Sequence, residues 1–599
     1  MNSPLTRFCL LLPLVGIFIL CGRLSLSNPG FVDGVPVLLF LILSGFALGL
    51  WLVGFWVARY VPSERTLFQR ILNKKIFHIT LLIVFGASAL LSAIAYYVNS
   101  KVLSSPPRLL LIGLDGATWD LIDPLMRAGK MLHMQQLCAS GARGNLQSLE
   151  SLESPSLWTS IATGLPPEQH GITGFFSTGL DIKAPRVWDI CQEKGIKVGL
   201  FAWMVGWPPE SQFAFSIPSW FSRAPDTFPP EYECVQEILL DQDRYGGPVN
   251  PIRGLWQCAA LGARYRGVES LLWFYLRDTL GLSEEERLAY KMLAEVRLQA
   301  DVFIAMLRRY SPQVATFSLY GTDKLAHRFW HEMTPTAFNP PNTKSQFSHV
   351  IEEYYQEADR AIGRILRVLS SSVTVVVVSD HGMKADTALP QQFFLDAPEL
   401  LRVLGWSRQF HPTTLQRKVI LESTPSRSIS ATAVIALLQQ IHLEGDSEPV
   451  FSVETGREGG LELQTNFSLT WNPDSPLVTH SKIWMNGKSY ATPRLFFSRT
   501  FSGTHDPQGI WLLAGPNIQS QQRFNANLLD VAPTLLYLLH LPISREMKGR
   551  LLTEILDKDC VSQNPPEFVE RYELKKPEPI RIEENEHFLE HLRSVGYVH

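Results

Sequence analysis

Cysteine is scarce in this chain, with seven in 599 residues. Cys9 and Cys21 share one apolar run, while Cys138, Cys191, Cys234, Cys258 and Cys560 are scattered without a repeated spacing. That excludes a disulfide-framed fold and a cysteine-built zinc site. Net charge is also lacking. Fifty-four Lys and Arg against 57 Asp and Glu leave a formal charge of −3, and no basic stripe marks a nucleic-acid footprint, so nucleic acid is not an expected partner. No internal repeat is visible, which removes repeat architectures from consideration.

Acidic residues are missing from three stretches near the N-terminus, around 8–26, 35–57 and 76–98, all strongly apolar. A membrane-spanning helix needs about 20 apolar residues. The second and third stretches meet that length, and the first reads either as a tilted helix or as a signal-peptide core. Between the second and third lie Arg59, Arg65, Arg70, Lys74 and Lys75 against the single acid Glu64. Short positive loops stay in the cytoplasm. The sequence therefore predicts a multi-pass membrane region over residues 1–100, in contact with the lipid bilayer, and everything beyond it on the extracytoplasmic side.

The remainder alternates buried-strand patterns with helical spacing. "RLLLIGLDGATWD" (108–120) ends a strand at Asp115, "PQVATFSLYGTD" (312–323) ends one at Asp323, and "VTVVVVSDHGM" (373–383) ends one at Asp380 and His381. "RVWDICQEKGIKVGLFAW" (186–203) reads as a helix closed by Gly195 and then a strand, and "GIWLLAGPNI" (509–518) is a further strand preceded by "GTHD" with His505. Such alternation predicts an α/β fold with a mostly parallel central sheet flanked by helices. The catalytic domain is expected over 106–555, with cap-like insertions near 209–310 and 385–495, and a C-terminal tail over 556–599 that is solvated from 566 to 590 and ends in a short docked helix, "FLEHLRSVGYV".

Strands buried on both faces carry the residues at their C-terminal ends to the carboxyl edge of a parallel sheet, where open α/β folds place ligands. Asp115, Asp323, Asp380, His381 and His505 are expected there. If a helix begins at Asp323, His327 lies four residues on and shares its face. Three carboxylates at one edge repel and lose solvation, and bound divalent cations remove that conflict. Carboxylate and imidazole donors suit zinc, with manganese as the alternative. In "SPSLWTSIATGLPPEQHGI" (154–172) the spacing predicts a helix from about Leu157 or Trp158, with Thr159 in its first turn as a nucleophile activated by metal.

"LLIGLDGATWD", "SPSLWTSIATGLPPEQHGI", "YGTDKLAHRFW", "VVVVSDHGM" and "GTHDPQGIWLLAGPNI" occur in the order seen in the alkaline phosphatase superfamily. The chain resembles its type I phosphodiesterase and nucleotide pyrophosphatase branch over about 108–555, outside the insertions and the membrane region. The resemblance implies that Asp115, Thr159, Asp380 and His381 surround one metal and that Asp323, His327 and His505 surround a second. It implies a hydrolase of phosphoric esters, monoester or diester, working through a phospho-threonine. Nucleotide pyrophosphatases usually carry Phe-Pro-Asn before the nucleophile and an asparagine after His-Gly-Ile; here Ser154-Pro155-Ser156 and "HGITGFFSTGLD" stand instead, which weakens a nucleotide substrate. Lys324, directly after Asp323, is a candidate for the phosphoryl group, the alternative being a solvated lysine. His170 and the tryptophans 203, 207 and 220 read as packing residues before they read as ligands or pocket walls. Two rivals remain: a transferase passing the phospho-group to a lipid or glycan, and a catalytically silent membrane binding protein.

Overall fold

The computed structural model describes residues 102–574 apart from 175–176, 241–283, 339–345, 388–390, 408, 416–417, 424–429, 456–460, 467–475, 481, 486 and 493–494. The three apolar stretches and the end of the tail, 575–599, lie outside the described residues. Among the described residues no helix is long and apolar enough to cross a membrane.

Eight strands form the central sheet: β1 (Leu109–Leu114), β2 (Ala142–Gln147), β3 (Val198–Trp203), β4 (Phe215–Pro218), β5 (Val314–Leu319), β6 (Thr374–Val378), and, beyond the short β7 (Gly382–Ala385) and β8 (Gly503–Asp506), β9 (Gln508–Ala514) and β10 (Arg523–Asn527). Their order is β10-β2-β9-β6-β1-β5-β3-β4. The neighbours β6-β1-β5-β3-β4 are all parallel. Every residue of β1, β3, β5 and β6 is buried, as expected of strands covered by helices on both faces.

One strand departs from the parallel expectation. β9 runs antiparallel to both β2 and β6. The reason lies just before it, where β8 pairs antiparallel with β7, the segment that leaves the carboxyl end of β6. The chain therefore enters β9 from the carboxyl edge and runs back down the sheet. A residue preceding β9 thus reaches the same edge as residues following β1, β5 and β6.

Two parts of the stretch 209–310 belong to the main body. β4 is the edge strand of the central sheet, and the 27-residue helix Glu284–Tyr310 contributes Val296, Val302, Phe303 and Leu307 to the main core. A four-residue edge strand ending in proline leaves too short an alternation to be read, and prolines are tolerated at such edges. Residues between Leu395 and Phe496 gather a second hydrophobic cluster, separate from the first. It is built from small antiparallel sheets, one of them joining Phe451–Thr455, Leu461–Thr465, Lys418–Ser423 and Phe410–Leu415. The chain returns from this cluster directly into β8.

Three helices set the functional edge: α1 (Ser154–Thr163), α2 (Gly321–Met333) and α3 (Val350–Leu366). The start of α1 differs from the sequence reading by about a turn. Pro155 sits inside its first turn; proline's fixed φ suits that position and its missing N–H costs nothing there. The helix therefore opens before the proline, and Thr159 lies in its middle.

Candidate active site

Asp115 follows β1, and its backbone is held from two sides: its N–H donates to Leu319 O at 3.0 Å, and its carbonyl accepts the Thr322 hydroxyl. Two consecutive tyrosines of α3 fix the same loops. Tyr354 Oη accepts from Gly321 N at 3.0 Å and Tyr355 Oη from Thr118 N at 3.3 Å. Gly116 adopts φ +65°, and a Cβ there would lie 2.9 Å from Asp323 Cβ, so only glycine lets the loops after β1 and β5 approach this closely. Its N–H donates to Asp380 Oδ1 at 3.3 Å. Past β6, Ser379 Oγ donates to Ala117 O and accepts from Ile510 N, locking the ends of three neighbouring strands together.

The structure brings Asp115, Asp323, His327, Asp380, His381 and His505 to this edge in two adjoining lobes. In the first, Asp323 Oδ1 lies 3.3 Å from both His327 Nε2 and His505 Nε2, and the two Nε2 atoms are 3.0 Å apart. Asp323 and His327 share a face of α2, as the four-residue spacing predicts. In the second lobe, His381 Nε2 lies 3.6 Å from Asp115 Oδ1 and 3.4 Å from Asp380 Oδ2. The lobes touch where the His381 and His505 rings stack at 3.8 Å, a consequence of the β7–β8 register that sets His505 opposite Met383.

Each histidine is oriented by a backbone carbonyl. His327 Nδ1 faces Gly503 O at 2.8 Å, His505 Nδ1 faces Leu152 O at 2.9 Å, and His381 Nδ1 faces Gly382 O at 3.0 Å. A carbonyl only accepts, so each Nδ1 carries the proton and each Nε2 presents a lone pair. Metal-binding histidines are commonly held in this way. Three acceptor atoms separated by 3.0–3.3 Å match the edges of a tetrahedron with bonds of about 2.0 Å, the length of zinc–nitrogen bonds.

The electrostatics agree with a cation-binding role. Asp115, Asp323 and Asp380 are fully buried, and both oxygens of Asp115, both of Asp323 and Oδ2 of Asp380 accept no hydrogen bond among the described residues. Leaving a buried carboxylate oxygen unsatisfied costs at least about 1–3 kcal/mol. Burial, with Asp380 and Asp323 nearby, pushes the Asp115 carboxyl well up, and burial raises Asp380 to about 7. Burial opposes the charge on Asp323, but His327 and His505 hold its carboxyl well below the usual range. Burial likewise opposes a charged His327, and the Asp323 carboxylate outweighs it, so His327 is raised. Burial and the His381 ring depress His505 to about 4.

Among the described residues, Thr159 makes no hydrogen bond to this cluster. Its hydroxyl donates to Pro155 O at 2.8 Å, one turn back in α1. The hydroxyl beside the carboxylates is that of Ser154, the first residue of α1, whose Oγ lies 3.2 Å from His381 Nε2. Five helical residues separate the two, about 7.5 Å along the axis and about 140° around it. Sequence reasoning passed over Ser154 because it placed the helix after Pro155; a proline at a helix start was the available signal. Ser154 also gains the unpaired N–H groups and positive dipole end of the helix.

Lys324 is buried rather than solvated, with its Nζ 3.9 Å from the centre of the Trp220 ring. Trp203, Trp207 and Trp220 are all buried, and Trp203 packs edge-on against Trp158 and Trp188. His170 is a packing residue: its Nδ1 accepts from Ile172 N, its Nε2 meets Ser160 Oγ at 2.9 Å, and burial lowers it to about 4.

A family model described as type I phosphodiesterase / nucleotide pyrophosphatase matches residues 109–404. Asp115, Ser154, Asp323, His327, Asp380 and His381 fall within the match, and His505 lies beyond it. No curated protein matches the chain.

Proposed function

The chain belongs, through residues 109–404, to the type I phosphodiesterase / nucleotide pyrophosphatase family of the alkaline phosphatase superfamily, and we propose that it is a membrane-anchored, dinuclear phosphoric ester hydrolase whose nucleophile is Ser154. Hydrolysis of phosphoesters is the activity of the family. The metals, the nucleophile and the membrane setting are our reading.

Asp323, His327 and His505 would hold one divalent cation, and Asp115, Asp380, His381 and Ser154 Oγ the other. The carboxylate and imidazole donors suit zinc, and manganese is the alternative. When bound, such ions lower the pKa of a hydroxyl and neutralise charge on the oxygens of an in-line displacement. Ser154 Oγ gives its proton to solvent and attacks phosphorus; the P–O bond to the leaving group breaks, the expelled alkoxide takes a proton from solvent, and a phosphoserine ester forms. Water then attacks that phosphorus, the P–Oγ bond breaks, Ser154 regains a proton, and phosphate or a phosphomonoester departs. Asp115, Asp380 and His381 would keep their donor atoms fixed, because Ser379 ties the ends of three adjacent strands together.

The observation that carries this reading is the set of buried carboxylate oxygens without hydrogen-bond partners beside three histidines that all present Nε2. Lys324 is proposed to add positive charge near the phosphoryl group, through its place next to Asp323. The three apolar stretches and the basic loop between them support an anchor with the catalytic part on the extracytoplasmic side. The test is turnover of chromogenic phosphodiesters, phosphomonoesters and sulfate esters by the purified chain. Cleavage of a phosphoester that chelation abolishes is the expected result; inertness toward every phosphoester after metal loading would overturn the proposal.

A further inference from the structure

Ser502 and Gly503 connect the second hydrophobic cluster to β8, and they make an unusual set of contacts with α2. Ser502 is fully buried. Its N–H donates to His327 O at 2.8 Å, while its Oγ accepts from His331 N at 3.0 Å and lies 2.8 Å from His331 Nδ1. One turn of α2, from His327 to His331, is thus gripped at both ends by a single serine. Gly503 lies so close to the same helix that an added Cβ would collide with the Ala326 carbonyl oxygen, and its own carbonyl receives His327 Nδ1. Ser502 O also accepts from Asp386 N at 2.8 Å, which ties the strap to the segment following β7. Two residues further on, the strap delivers His505.

We infer that Ser502 is a positioning residue for the lobe formed by Asp323, His327 and His505, and that its hydroxyl sets the metal affinity of that lobe without setting that of the Asp115–Asp380–His381 lobe. The inference rests on the proposal that the two lobes bind metal. A hydrogen-bonded partner one step removed from a ligand typically changes metal affinity by about 10- to 100-fold when removed. The Ser502 hydroxyl acts on that lobe through the turn of α2 that carries His327, by holding the N–H and Nδ1 of His331, while the backbone N–H on the His327 carbonyl is kept in every variant. The second lobe is oriented by other groups, Gly382 O on His381 and Gly116 N on Asp380.

Cobalt(II) titration of the chelator-stripped full chain, read by visible absorption, tests this with Ser502→Ala and the hydroxyl-retaining Ser502→Thr. The wild type is expected to take up two ions. Ser502→Ala should bind one of them about 10- to 100-fold more weakly and the other as before, with a metal-free form that still folds cooperatively, and Ser502→Thr should restore the weakened site. Two ions bound with wild-type affinity by Ser502→Ala would overturn the inference alone. Equal weakening of both sites, or a loss of the folded metal-free form, would make the role merely structural and overturn it as well. A wild type that binds no cobalt would overturn the inference together with the metal reading beneath it.

Discussion

Ser154 Oγ lies 3.2 Å from His381 Nε2. Because His381 Nδ1 faces the Gly382 carbonyl, the Ser154 hydroxyl is the donor in this contact, so its oxygen is already turned toward the atom that would share its metal. The relationship joins the start of a helix to the end of a strand 227 residues away.

Ser154→Ala is expected to lower kcat by more than about 10³-fold, the scale on which removing a nucleophile acts, while metal content persists. Thr159→Ala is expected to leave kcat within a few-fold and to cost about 1 kcal/mol of stability for one intrahelical hydrogen bond. Steady-state kinetics with elemental analysis check both; full activity in Ser154→Ala would return the assignment to another hydroxyl.

Removal of metal should destabilise the fold, because it leaves buried carboxylate oxygens without a partner. Saturating zinc is expected to raise the melting temperature of the stripped protein, by an increment that grows with the logarithm of free metal concentration. Calorimetry measures it, and a melting temperature indifferent to zinc would count against the donor set.

Asp380 gives a pH prediction whose sign is fixed by its raised value. Its carboxyl titrates near 7 in the folded metal-free chain against 3.8 when free. Between those values the unfolded chain binds fewer protons, so this group's contribution to stability falls as pH rises, by at most about 1.4 kcal/mol per pH unit. Burial-depressed histidines such as His170 and His505 work in the opposite direction, so the group must be isolated by difference. Metal-free Asp380→Asn should melt above the wild type by a margin that grows between about pH 4 and about pH 7 and then levels off. A difference that is flat with pH would remove this account of Asp380.

Gly116→Ala forces an alanine into a left-handed conformation and against Asp323. The conformation alone costs about 1–2 kcal/mol, and the contact shifts a ligand. Both a lower melting temperature and weaker metal binding are expected, the first from denaturation and the second from chelator competition.

The membrane topology has its own test. A reporter active only outside the cytoplasm, fused after residue 105, should be active; silence there would reverse the assigned orientation.

Much of this site was legible because the chain marks its strands so plainly. The β-branched run at 374–378 could only be a buried strand, and the residues just past such a strand lie at its carboxyl edge. Asp115, Asp323 and Asp380 with His381 are placed by that rule, and His327 by the four-residue helical spacing. His505 was reached without its reason: it precedes a strand, and only the antiparallel course of β9 brings it to the same edge. Ser154 was hidden by a proline read as a boundary rather than as the second residue of a helix. The tyrosines of α3 and the Ser502–Gly503 strap lay beyond sequence reasoning altogether, since nothing local to them indicates contacts made far along the chain.

Anomalous diffraction from crystals grown with zinc, measured at the zinc edge, tests the central claim most directly. Two peaks about 4 Å apart are expected, one among Asp323, His327 and His505 and one among Asp115, Asp380, His381 and Ser154 Oγ. An absence of peaks at these seven side chains would contradict it.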